Sequence, residues 1–346
     1  MQHRRTYAIL LFLLIFSGCA QVGYYAQSVQ GQLDVWRRAR AIDTVIADPV
    51  TTDALRTRLA LALKIREFAS RELALPDNGS YRRYADVQRP FVLWNVFAAP
   101  EFSVTPMQWC FAFAGCVNYR GYFSKEDADR YAGDAAAQGH DVHVGGVPAY
   151  STLGWFDDPV LNTFVNYPEV ELARLIFHEL SHQVVYVKDD TVFNESFATA
   201  VELEGVRRWI ERHGGASDRQ TFEQRSRYRA GFRELIVRYR ERLNTLYASA
   251  AAPDEKRSRK ARLFGEMKHD YEKLKAEWGG FAGYDRWFAQ PPNNALLASV
   301  SLYTQQVPAF TALLEKHNRD LPRFFDEVKR LSLLGKHERE AALGKL

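Results

Sequence analysis

His178-Glu179-Leu180-Ser181-His182 is an H-E-x-x-H motif, and Glu195 follows thirteen residues after His182. On an α-helix, positions i and i+4 share a face, so His178 and His182 can aim at one cation. Glu179 sits about 100° round the helix, badly placed for a third ligand but well placed to reach water beside a metal. A second helix starting near Asn194 would carry Glu195, Ala198, Glu202 and Gly205 near one face. A loop between the two helices could bring Glu195 back over the imidazoles. Two His, one Glu and an open position form the donor set of a catalytic zinc rather than a closed structural one. The chemistry indicated is metal-assisted hydrolysis, with Zn²⁺ the expected cofactor. The plainer alternative is a helix that happens to carry two histidines. It would leave His178, Glu179 and His182 buried among apolar neighbours without compensation, and the sequence holds no rival metal-binding cluster.

The flanking residues predict the helix this needs. Pro168 suits a first helical position. Leu172, Leu175, Ile176 and Leu180 make an apolar stripe that Val184, Val185 and Val187 extend, until Lys188-Asp189-Asp190 breaks the run. Asn194 and Thr199 flank Glu195 and are read as supports for the ligands.

Residues 193–198, Phe-Asn-Glu-Ser-Phe-Ala, resemble the N-E-G-F-A stretch that follows H-E-x-x-H in zinc aminopeptidases of the gluzincin clan. More of the chain is similar to a bacterial family of predicted aminopeptidases anchored as lipoproteins. The matching segments are Leu75–Tyr81, Trp109-Cys110 with Gly115-Cys116-Val117, Tyr119–Phe123, Gly146–Gly154 and Phe193–Ala198. A weaker stretch runs through Pro292-Asn293-Asn294-Ala295, Tyr303 and Pro308-Ala309-Phe310. The resemblance implies that His178, His182 and Glu195 are ligands and Glu179 the general base. It also implies a Tyr that stabilises the oxyanion, for which Tyr303 is the candidate and Tyr150 the rival. The G-x-M-E-N segment with which the better-known enzymes hold a substrate amine is absent, and the link from His182 to Glu195 is shorter than theirs.

The chain begins with a basic segment and an apolar run, Ala8–Phe16, too short to span a bilayer. Ser17-Gly18-Cys19 then resembles a lipobox, although Phe16 stands where Leu is usual. Residues 1–18 are therefore expected to be a lipoprotein signal, an ordinary secretory signal or an uncleaved anchor being the alternatives, with Cys19 lipidated and the protein facing the periplasm, on the outer membrane if the host is Gram-negative. Loss of Arg4 and Arg5 would lower the formal charge from +4 to +2. That near-neutrality implies no nucleic-acid partner. In an oxidising compartment, Cys110 and Cys116 are expected to form a short-loop disulfide, two buried thiols being the alternative.

Residues 19–346 are expected to form one metallopeptidase domain of α+β, zincin-like fold. It would hold N-terminal helices (20–75, interrupted at Gly31), a small mixed sheet with the active-site core (80–205), a helical hairpin (206–280) and C-terminal helices (281–346). A helix is expected at 125–138, strands at 91–97, 109–122 and 140–144, and a further helix starting at Pro159. Gly145-Gly146-Val147-Pro148 should break strand pairing. The edge segment 144–154, with Gly146, Pro148, Ala149 and Ser151, is expected to hold extended substrate by main-chain hydrogen bonds. Asp157-Asp158 could bind a substrate amine or cap the helix after it. His140 and His143 are read as surface or packing residues rather than ligands, and the basic run 256–260 as a solvated helix face. Three functions stay open: an aminopeptidase, a zinc endopeptidase acting on envelope proteins, and a lipoprotein whose hairpin recruits a partner and whose metal site is vestigial. The oligomeric state is not legible.

Overall fold

The computed structural model describes residues 22–111, 115–301 and 306–345. A helix α1 (22–38) is followed by strand β1 (Arg40–Ala41), α2 (Ile42–Ala47) and α3 (Asp53–Leu73). Thr52 caps α3, its Oγ1 accepting the Leu55 amide at 3.3 Å. Helix α1 runs through Gly31 without interruption. A Cβ there would lie 2.0 Å from Phe123 Cγ, so the missing side chain makes room for an aromatic ring instead of ending the helix.

Next come β2 (Arg83–Ala85), β3 (Leu93–Pro100), β4 (Trp109–Phe111), β5 (Gly115–Val117), β6 (Arg120–Tyr122), α4 (Lys125–Ala137), β7 (His140–Val147) and β8 (Val160–Leu161). Strand β3 lies between β6 and β7, both antiparallel to it. Its run from Trp94 to Ala99 is buried, as a central strand with both faces covered requires. Pairing of β7 continues across the glycines to Leu93↔Val147, so Pro148 ends the ladder and Gly145 does not. Gly146 lies under the Phe91 ring, 2.3 Å from where a Cβ would stand. In the second sheet β2 pairs antiparallel with β1 and parallel with β8. The residues after Pro159 are thus a strand, not the expected helix, and Asp157-Asp158 cap nothing. The hairpin β4–β5 sets Cys110 opposite Cys116, and a disulfide joins them. The Cys116 amide donates to Asp189 Oδ1 at 2.5 Å, tying this hairpin to the loop after the H-E-x-x-H segment.

Helices α5 (Glu169–Ser181) and α6 (Thr191–His213) form the centre. Pro168 is the cap of α5 rather than its first residue, and His182 caps its other end. Val184, Val185 and Val187 lie in the connecting loop, where Val185 still reaches the core. Helix α6 begins three residues before Asn194 because Asp190 caps it, Oδ1 accepting the Phe193 amide at 3.1 Å. Arg339 from a helix near the C-terminus (Lys336–Leu343) holds the other Asp190 oxygen with Nε and Nη2 at 3.1 and 2.7 Å, both residues buried. Leu172, Ile176, Phe177 and Leu180 of α5 pack with Phe197 and Val201 of α6 and with Phe68 and Leu73 of α3.

A long hairpin follows, starting at Ala216 rather than at 206 because α6 runs on to His213: α7 (Ala216–Ala248) and α8 (Pro253–Glu277), then α9 (Asp285–Phe288), α10 (Asn294–Ser301), α11 (Val307–Lys316), α12 (Leu321–Ser332) and α13 (Lys336–Leu343). The hairpin has its own core of Phe232, Leu235, Tyr239, Phe264, Met267 and Tyr271. Its basic run is not wholly solvated: Arg257 pairs with Glu101 at 2.6 Å and Lys260 with Asp141 at 2.6 Å, fastening α8 to the sheet. Among the described residues no helix is long and apolar enough to cross a membrane. The chain is mixed α+β, mostly helical, with small sheets.

The crossing of α5, α6 and α3 depends on Gly205. A Cβ there would stand 2.7 Å from Phe177 Cδ2 and 2.8 Å from Leu73 Cδ1, both fully buried. The overpacking cost, about 1–3 kcal/mol, exceeds the roughly 1 kcal/mol that alanine gains over glycine within a helix. Gly205→Ala is expected to lower the thermal midpoint by several degrees in a melting scan.

Candidate metal centre

His178 stands in the last turn of α5, His182 at its C-cap and Glu195 early in α6. Their donor atoms converge, all within 4.8 Å of one another. His178 Nε2 is 3.3 Å from His182 Nε2 and 3.3 Å from Glu195 Oε2, and His182 Nε2 is 3.8 Å from Glu195 Oε1. Nitrogen and oxygen ligands at about 2.0–2.1 Å from zinc span tetrahedral edges of about 3.4 Å. The spacing therefore fits a shared cation, and two imidazole nitrogens facing each other in a buried site have no better partner.

His178 is oriented from behind. Its Nδ1 meets Glu202 Oε2 at 2.9 Å, and the other Glu202 oxygen accepts Arg174 Nε at 2.8 Å. Arg174 also reaches Glu171 Oε2 at 3.0 Å. This chain fixes the tautomer that presents Nε2 to a metal. Asn194 acts on the loop: its Oδ1 accepts the Val187 amide and its Nδ2 donates to the Val187 carbonyl, both at 2.8 Å. That clip sets the path from His182 to Glu195. Thr199 lines a cavity beside Glu202, and it is Glu202 that holds His178.

Burial and charge act against each other here. Burial disfavours a charge on His178, but Glu195 and Glu202 outweigh it and push its pKa well above the usual imidazole value. Burial carries His182 the other way, down to about 4, despite the pull of Glu195. Glu202 is held down at about 2, because Arg174 and His178 overcome its desolvation. Glu195 is lowered too, His182 and His178 outweighing burial. Glu179 is raised to about 7, chiefly by burial. The site thus pairs carboxylates that stay ionised with one buried carboxyl poised to exchange a proton near neutrality.

Two cavities meet at the motif. One, of about 600 Å³, is lined by His178, Glu179, His182 and Glu195 together with Val147, Pro148, Ala149, Tyr150 and Ser151. The segment following edge strand β7 therefore lies beside the candidate ligands; Gly146 is not among the lining residues and instead packs under Phe91. Tyr150 is at this cavity with its hydroxyl donated to Gln32 Oε1. The other cavity, of about 780 Å³, shares Pro148, Leu175, His178 and Glu179 and opens toward α7. Tyr303 and Cys19 lie outside the described residues. His140 and His143 belong to β7 and stand apart from the ligand group.

The family described as "Putative aminopeptidase" matches residues 23–343. The chain belongs to that family. No curated protein and no solved structure matches it.

In this member of the aminopeptidase family further ionisable residues stand near the motif. Glu202 lies seven residues, two helical turns, beyond Glu195, and that spacing already marked it as sharing a face with the ligand. Tyr119 lines the cavity with Glu195, and after burial that carboxylate is what most raises its pKa, Glu179 adding to it. Asp158 is buried, accepts the Thr152 amide at 2.9 Å and is raised to about 6 by burial. Asp158 adds to the rise of the Glu179 pKa, and both carboxylates raise that of Tyr81. Tyr81 itself is buried at φ 62° with an unpartnered hydroxyl. Of these, Glu202 is marked in the sequence by its helical spacing and Asp158 as a candidate amine-binding or capping residue, whereas nothing there singles out Tyr119 or Tyr81.

Since Glu202 orients His178 by hydrogen bond and charge, Glu202→Gln is expected to weaken metal binding 10–100-fold, as loss of a ligand's outer partner does. Competition with a chelator of known affinity would read this directly, and unchanged affinity would remove Glu202 from the site.

Proposed function

We propose that this member of the aminopeptidase family is a zinc-dependent peptidase of zincin-like architecture that removes N-terminal residues from peptides. The observation that carries the reading is the convergence of His178, His182 and Glu195 to within 4.8 Å, with Glu179 at the junction of two cavities. A zinc ion held by these three residues would serve as Lewis acid toward the scissile carbonyl and water. Glu179 then takes a proton from the attacking water and delivers it to the leaving nitrogen, and burial, which raises its pKa, favours its holding the proton between the two transfers. Tyr119, half-buried beside Glu195, is the donor we assign to the developing oxyanion, Tyr150 being engaged with Gln32. The backbone of 147–151 supplies the wall along which extended substrate would lie. The Ser17-Gly18-Cys19 sequence supports export and anchoring through lipid on Cys19, with the catalytic domain facing the periplasm.

Cavities on both sides of Glu179 also suit an endopeptidase. Metal analysis joined to hydrolysis of free-amine and N-acetylated peptides separates the readings. About one zinc per chain, with cleavage of the free-amine peptide alone, is expected. Cleavage of both would make the protein an endopeptidase; protein without zinc would end the metallopeptidase reading, and zinc without cleavage would favour a binding role. Glu179→Gln should retain zinc while lowering kcat by at least about 10³-fold, and Tyr119→Phe should lower it by about 10²–10³-fold with zinc and KM little changed. Full activity in either variant removes that residue from the chemistry.

A further inference from the structure

The cavity on the α7 side of the site is strongly basic. Arg174, Arg225, Arg229 and Arg233 line it, and the last three recur every four residues on α7, so they share one face. Like charges at that spacing repel one another. The carboxylates available to balance them are few. Glu202 is committed to His178 and Arg174, at 2.9 and 2.8 Å. Glu171 gives Arg174 a contact of 3.0 Å and leaves Arg229 and Arg225 standing off at 3.6 and 3.8 Å. Arg233 has no carboxylate partner among the described residues. Arg229 is half-buried, and burial together with neighbouring Arg174 holds its pKa below the usual guanidinium value. The facing cavity is of opposite character. Tyr24, Tyr25, Phe111, Tyr119 and Phe123 line it, with no Lys or Arg. The two cavities share His178 and Glu179, so a peptide lying across Glu179 would reach an aromatic chamber at one end and a cluster of partly neutralised arginines at the other.

We infer that the α7 cavity binds the C-terminal carboxylate of a short peptide through Arg229 and Arg233, which makes peptides of a few residues the substrate class of this site. This rests on the peptidase reading above. Guanidinium groups match a carboxylate in the planar, bidentate manner that lysine does not, and the cavity volume of about 780 Å³ is that of a site for a small ligand. The helical hairpin thereby gains a function: α7 carries the arginines over a site otherwise built from α5, α6 and the strand edge.

The test is calorimetric binding to the Glu179→Gln protein, which separates recognition from turnover. Three probes are compared: trialanine, trialanine amide, and Ala-Asp-Ala amide. Trialanine is expected to bind at least about tenfold more tightly than either amide, in line with a charge-assisted bidentate contact, and to lose that advantage as salt rises. Adding Arg229→Gln and Arg233→Gln should bring trialanine down to the amide while leaving the amide unchanged. Equal binding of trialanine and its amide overturns the inference without any variant, so a folding failure of the arginine variant cannot shelter it. Equal binding of trialanine and Ala-Asp-Ala amide overturns the terminal position. A preference that survives both arginine substitutions overturns the assignment to α7. Hydrolysis by the unsubstituted protein is scored separately. An acid preference without hydrolysis would sink the peptidase reading and leave the carboxylate site, whereas hydrolysis without acid preference would do the reverse.

Discussion

The donor atoms of His178, His182 and Glu195 converge because α6 returns across α5 at a distance that a side chain at 205 would not allow. Gly205 faces Phe177 and Leu73 with no room for a Cβ. Close approach of backbones is what lets side chains as short as a carboxylate meet imidazoles from a neighbouring helix. The loop between the helices is held just as tightly. Asn194 clips Val187 through both main-chain groups, Asp190 caps α6, and Arg339 from the C-terminal helix neutralises that buried cap. Breaking one partner of a buried pair such as Asp190–Arg339 typically costs about 3–5 kcal/mol. The C-terminal helix and the candidate centre are thus parts of one cooperative structure.

Buried charge is the second constraint. Four ionisable groups, His178, His182, Glu195 and Glu202, are packed together, and none is tolerable alone in a low-dielectric interior. Glu202 and Arg174 stabilise His178 from outside, and with both imidazoles neutral, as metal ligation requires, the charge left on Glu195 is what a divalent cation would compensate. Elsewhere a buried arginine plays a comparable part. Arg66 donates to the carbonyls of Ser80 and Pro76 at 2.7 and 2.6 Å and to Ser70 at 2.6 Å, and Asn78 donates to Gln183, the residue after His182, at 2.7 Å. The turn at 76–81 is thereby fixed against the end of the motif. It carries Tyr81 in a left-handed conformation that non-glycine residues adopt only where surroundings impose it.

Much of this was legible in order. The H-E-x-x-H helix, the carboxylate helix after it, a long helical hairpin and β3 follow from periodicity and turn residues, and the short spacing of Cys110 and Cys116 allows the disulfide pairing. What misled were local signals with two readings. Gly31 signalled a break but serves as a seat for Phe123. Pro159 signalled a helix start, yet Val160 and Leu161 form a strand, because the parallel partner is the distant β2, Tyr84 facing Val160, and leaves no local trace. Valines 184, 185 and 187 continued an apolar pattern that the helix itself did not follow, since His182 ends α5 and the loop must turn back.

The sequence by itself determined the donor types, their i, i+4 spacing and the helices that carry them, because these follow from chemistry and from contacts within a turn or two of chain. Only the tertiary structure decided that Glu202 rather than Thr199 supports His178, that Tyr119 stands beside Glu195, and that three arginines of a distant hairpin face the cavity next to Glu179. Those relations join residues far apart in sequence, through the packing of whole helices. No local pattern encodes which face of α7 turns toward α5, since an arginine every fourth residue reads equally well as a solvated stripe.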